Sequence, residues 1–103
     1  MLRHIVLFEF KPEIDSTDRE ELFSKMKKLS EIESVRNLTI GTLLQPSNPD
    51  YLHHMSQEFG HSLLIDFDDE EQLYGYQADP YHVEVGRALR ELVSEIKIVD
   101  FAI

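Results

Sequence analysis

Residues 2–11 read LRHIVLFEFK. In an extended chain side chains alternate between two faces. Leu2, His4, Val6, Phe8 and Phe10 therefore share one face, and Arg3, Ile5, Leu7, Glu9 and Lys11 the other. The period and the β-branched and aromatic content predict a strand. Both of its faces carry large apolar side chains. A sheet with helices on one side only normally leaves its other face polar. This strand therefore predicts a cover on each side, and a second copy of the chain is the simplest second cover.

The remainder supplies partners for that strand. Pro12 ends it. Thr17 reads as an N-cap with Glu20 closing a capping box, and Leu22, Phe23, Met26 and Leu29 follow at helical spacing until the helix fades near Ile32–Ser34. A second strand is expected over Asn37–Leu44. Residues 45–60, QPSNPDYLHHMSQEFG, have two prolines and little periodicity, so they read as a long irregular connection. His61–Phe67 alternates as a third strand. Asp68 is the expected cap of the next helix, with Glu71 closing the box and Leu73 and Tyr76 facing inward. Asp79-Pro80 restarts the helix, Asp79 as cap and Pro80 in the first turn. Val85, Leu89, Leu92 and Ile96 then form one apolar stripe, and Lys97–Ile103 is the last strand. The order β-α-β-β-α-β predicts a ferredoxin-like α+β fold, a four-stranded antiparallel sheet with helices on one face, in a single domain spanning 1–103.

Composition removes several classes of function. The chain has no cysteine, so disulfides, thiolate metal sites and a cysteine nucleophile are excluded. Its formal net charge is −10, from ten basic and twenty acidic residues. Such a surface repels polyphosphates, so no nucleic-acid partner is expected. No stretch has the length and apolarity to cross a bilayer. The apolar N-terminal run is interrupted by His4 and Glu9 and has no signal-peptide pattern, so the expected location is cytoplasmic.

Histidines are the informative polar residues. His4 and His61 lie on apolar faces of the first and third strands, which this topology makes neighbours. His82 begins the long helix that packs on the sheet. The three are expected to meet Tyr76 between sheet and helices. Histidine titrates near neutrality, and a tyrosine hydroxyl can donate to a developing oxyanion, so the set reads as acid–base machinery. The competing reading is that each is a hydrogen-bonded core residue. Metal binding has little support. There is no HExxH motif, and the adjacent His53 and His54 cannot easily face one ion and are expected on a solvated loop. No metal and no cofactor are expected.

The segments HIVLFEFK, LIDF, DDEEQL, YQADPYH and IKIVDF together resemble the stress-responsive A/B-barrel (Dabb) domain family, over nearly the whole chain. The resemblance implies a homodimer of ferredoxin-like subunits packed sheet to sheet into an α+β barrel, with a stress-related or undefined role and a small apolar ligand between sheet and helices. The chain is more distantly similar to olivetolic acid cyclase, a polyketide cyclase of that family. This implies a cofactor-free alternative in which His82 removes a proton and Tyr76 polarises a carbonyl, with His4 and His61 supporting. A third alternative, implied by related dimeric barrels, is a haem- or oxygen-handling monooxygenase. The sequence departs from the family pattern at Asp79, where a histidine is usual, at Glu33-Ser34, and at Tyr81, which could crowd a pocket mouth. Some members hold a cation on backbone carbonyls, and the matching stretch here is Leu29–Val35.

Overall fold

The computed structural model describes all residues, Met1–Ile103. Four strands, β1 (Leu2–Phe10), β2 (Asn37–Thr42), β3 (His61–Phe67) and β4 (Val93–Ala102), form one sheet in the order β2-β3-β1-β4. Every neighbouring pair is antiparallel. Helices α1 (Ser16–Lys28), α2 (Glu70–Ala78) and α3 (Pro80–Leu92) complete the ferredoxin-like α+β fold. Short 3-10 turns follow α1 at Leu29–Glu31 and interrupt the long connection at Pro49–Tyr51.

The core lies between the sheet and the helices. Val6, Phe8 and Phe10 of β1 and Leu63, Ile65 and Phe67 of β3 are buried against Leu22, Met26, Leu73, Tyr76, Val85 and Leu89 from the helices. The opposite face is open. There Ile5 stands in register with Leu64 on one side and Val99 on the other. Arg3 grips Asp66 with two hydrogen bonds of 2.8 and 3.0 Å, and Asn37 adds a longer one at 3.4 Å. The apolar second face of β1 is thus uncovered in a single subunit.

Local capping differs from the sequence expectation at two helices. Asp15, not Thr17, caps α1, accepting from the Asp18 N–H. Asp69, not Asp68, caps α2, accepting from the Gln72 N–H. Asp68 instead holds Arg36 in a two-pronged pair. In both cases several acids or hydroxyls sit in a row, and the carboxylate that reaches an N–H three residues on wins. Asp79 does cap α3, with Pro80 in its first turn.

The end of α3 is a larger correction. The helix stops at Leu92, and Ile96, expected on its apolar stripe, lies in β4. The four-residue spacing fits helix and strand alike, because both return a residue to roughly the same side. Pairing decides. β4 begins at Val93 opposite Phe10, and the Lys11 N–H donates to the Leu92 carbonyl, so β1 captures the chain one turn early. A register shift at Glu9/Phe10 accommodates the change of direction. β2 likewise ends at Thr42 rather than Leu44.

Candidate functional site

A cavity of about 350 Å³ opens between the sheet, α3 and β4. Small-molecule pockets start at roughly this size. Its floor is apolar, from Val6, Met26, Leu29 and Leu63, and Ile96 and Ile98 of β4 form one wall. These isoleucines are 42% and 54% exposed, because no helix covers this edge strand. Three of the four residues singled out in the sequence line the cavity: His4, Tyr76 and His82.

His4 is buried on the helix-facing side of β1. The antiparallel register places Asp100 of β4 directly opposite, and His4 Nδ1 lies 2.5 Å from Asp100 Oδ1. A carboxylate only accepts, so Nδ1 carries the hydrogen and Nε2 is left free. The imidazole stands edge-on to Phe67 and Tyr76, with ring centres 6.3 Å from each. Asp100 was not singled out from the sequence. It was findable only through register, since counting back along two paired strands from the chain ends puts it beside His4.

His82 sits in the first turn of α3. Its Nδ1 is 3.0 Å from the Gln77 carbonyl at the end of α2. A carbonyl also only accepts, so this contact fixes the Nδ1–H tautomer and makes Nε2 the lone pair. Burial pushes the His82 pKa below the usual histidine value; the charges of His4 and Arg90 act in the same direction, while the Gln77 bond and Asp79 oppose it. Tyr76 is almost wholly buried, and burial alone raises its pKa well above the ordinary tyrosine range. It is therefore a hydroxyl donor at any neutral pH. The Tyr76 and His82 rings lie 4.5 Å apart between centres.

His61 does not join them. It shares the helix-facing side with His4, but His4 pairs with Ile65 whereas His61 pairs with Phe8. Four strand positions separate them, about 13 Å. His61 is instead enclosed by Phe8, Phe10 and Phe23, with ring centres 5.1–5.7 Å away. Its Nδ1 is buried without a partner, and burial lowers its pKa. Nor does Tyr81 plug the cavity. Its hydroxyl donates to the Lys25 carbonyl at 2.9 Å, which ties α3 to α1 and turns the ring away. His53 and His54 are exposed in the long connection. No group of three or more His, Asp or Glu side chains is arranged to hold a metal ion. In the Leu29–Val35 stretch the carbonyls of Leu29 and Ile32 already accept from Ile32 and Val35.

Residues 2–103 match the stress responsive A/B barrel domain, Dabb. The chain belongs to this family. No curated protein matches this Dabb chain in sequence. Solved structures similar to it share its fold. One is a protein of Arabidopsis thaliana, 24% identical, with a TM-score of 0.84 over 100% of this chain and 95% of that one. Another is the hydroxynitrile lyase of Passiflora edulis, 18% identical, with a TM-score of 0.83 over 99% and 92%. A third, from Thermobifida fusca, is described as a dimeric ferredoxin-like protein of unknown function; it is 21% identical, with a TM-score of 0.80 over 99% and 90%. No helix of this Dabb chain is long and apolar enough to cross a membrane.

In chemical terms the Dabb cavity brings together an imidazole lone pair on His82, a neutral hydroxyl donor on Tyr76 and a carboxylate-oriented imidazole on His4. A base with a lowered pKa is unprotonated at neutral pH and ready to accept. A phenol with a raised pKa can donate a hydrogen bond without losing its proton.

Proposed function

We propose that this chain is a homodimer whose subunits each bind a small, mostly apolar molecule in the cavity and act on it by cofactor-free acid–base chemistry. The observation that carries the reading is the convergence of His82, Tyr76 and His4 on one ligand-sized space. His82 Nε2 would take a proton from a carbon beside a carbonyl. The C–H electron pair would move into the carbonyl, and Tyr76 would donate to the oxygen as it becomes an enolate. The enolate carbon would then attack a second electrophile or be reprotonated, with the proton returned from His82 and no net oxidation. His4, oriented by Asp100, would hold a second polar group of the ligand. One structural neighbour is a hydroxynitrile lyase, so the fold accommodates lyase chemistry. The homodimer reading is supported by the uncovered apolar face around Ile5, Leu64 and Val99, and by neighbours described as dimeric.

Deuterium uptake tests the chemistry. The probe is 2-heptanone in deuterated buffer, followed by NMR at the carbons beside the carbonyl. Wild type is expected to accelerate exchange over buffer, His82→Ala to abolish the acceleration, and Tyr76→Phe to reduce it about 10²-fold. Equal exchange by wild type and His82→Ala would remove the catalytic role. The cavity would then be a binding site without turnover, the second reading, which its apolar floor and wall favour.

A further inference from the structure

Acids make up about a fifth of the chain, yet none lines the cavity. The charged or titratable side chains there are His4, Tyr76, His82 and Arg90. Arg3 and Arg36 are committed to Asp66 and Asp68, and Arg19 donates to the Ile14 carbonyl and lies over the Phe10 ring. Arg90 pairs with no carboxylate. In a chain of net charge −10, an unpaired guanidinium at the mouth of an acid-free cavity is a local reversal of the general field.

The helix shows where that guanidinium is held. His82, Gly86 and Arg90 are spaced four apart and so follow one edge of α3. A Cβ placed on Gly86 would meet Arg90 Nη1 at 3.3 Å. The arginine therefore folds back over the glycine, toward the helix start and along the cavity rim. That places the guanidinium beside the Gly86 position, about one helical turn along α3 from the His82 backbone.

We infer that the cavity selects small amphipathic acids, whose apolar body lies on Ile96 and Ile98 and whose carboxylate is held by Arg90. This rests on the reading of the cavity as a ligand site and adds the ligand's chemical class. The charged groups around His82 are His4 with its partner Asp100, Asp79 and Arg90. An anion seated on Arg90 offsets a positive charge that disfavours protonated His82, so acid binding raises the His82 titration midpoint.

The test compares hexanoate with hexanamide, equal in length and shape but differing in charge, by NMR titration of the full chain. Hexanoate is expected to bind wild type on the order of tenfold tighter. Arg90→Gln should reduce hexanoate to the level of the amide and leave the amide unchanged. Arg87→Gln, which removes an equal charge from outside the cavity, should preserve the preference. Hexanoate, and not hexanamide, should raise the midpoint of the His82 Cε1–H resonance. Equal binding of the two probes to wild type, or equal damage from Arg87→Gln, overturns the acid selectivity and leaves the cavity as a site for neutral apolar ligands. Binding of neither probe overturns the ligand-site reading and this inference together.

Discussion

His4 on β1 and Asp100 on β4 face each other across paired strands, Nδ1 to Oδ1 at 2.5 Å. The imidazole is buried and the carboxylate is 39% exposed. Asp100→Ala leaves a buried N–H without its acceptor, at an expected cost of about 1–3 kcal/mol. Asp100→Asn keeps an oxygen in place. Because the carboxylate is partly solvated and its charge screened, that change should cost about 1 kcal/mol or less. Urea denaturation of both variants checks this. Equal stability of Asp100→Ala and wild type would show that the pair orients the imidazole without stabilising the fold.

Stability should fall as pH falls from about 7 to about 5, the range in which histidine titrates. His61 and His82 are both held below the ordinary histidine value, mainly by burial. The unfolded chain takes up protons near that ordinary value and the folded chain only at lower pH, so their contribution is present above it and lost as pH drops through the folded pKa values. His61 sits among three phenylalanines with Nδ1 unpartnered. His61→Phe should therefore shrink the difference between denaturation midpoints measured at the two ends of that range. An unchanged difference would assign the pH dependence elsewhere.

On the open face, Arg3 holds a carboxylate whose side chain is only 4% exposed. The hydrogen bonds from Arg3 are the main cause lowering the Asp66 pKa. Its stabilisation is present above the ordinary carboxylate pKa and lost as pH falls through the lower folded value. Arg3→Met leaves Asp66 with Asn37 alone and should lower stability at neutral pH, by less than a fully buried pair would lose because Arg3 is itself 41% exposed. The acid limb of the stability curve should also flatten. A parallel downward shift with no flattening would separate the cost from Asp66 ionisation.

Ile5 lies at the centre of the uncovered face, between Leu64 and Val99. Ile5→Glu should convert a dimer at micromolar concentration into a monomer in sedimentation velocity, because a charge sealed into an apolar interface costs several kcal/mol. Wild type sedimenting as a monomer would refute the dimer reading outright.

The order of elements was legible because each strand and helix carries its own period, and the alternation of β1 alone, apolar on both sides, marked a face that the helices do not cover. What failed was tertiary in origin. Ile96 fits a helix stripe as well as a strand, and only the pairing of Phe10 with Val93 assigns it. His4 and His61 share a face, but face alone does not give distance along a strand; the register does. Asp100 and Arg90 were invisible as site residues for a related reason. One depends on strand pairing between distant segments, and the other on the room left above Gly86.

The β1–β4 ladder pairs Leu2 with Ala102. Its strands lie almost the whole chain apart, so closing it forfeits more chain entropy than any other contact in the sheet. β3 can meet β2 and β1 over shorter separations, so the β2-β3-β1 part of the sheet can precede β4. The His4–Asp100 pair and the isoleucine wall come into being only when β4 docks. The site is thus completed only by the docking of β4, and a chain with β4 frayed would keep much of its core while losing the His4–Asp100 pair and one wall of the cavity.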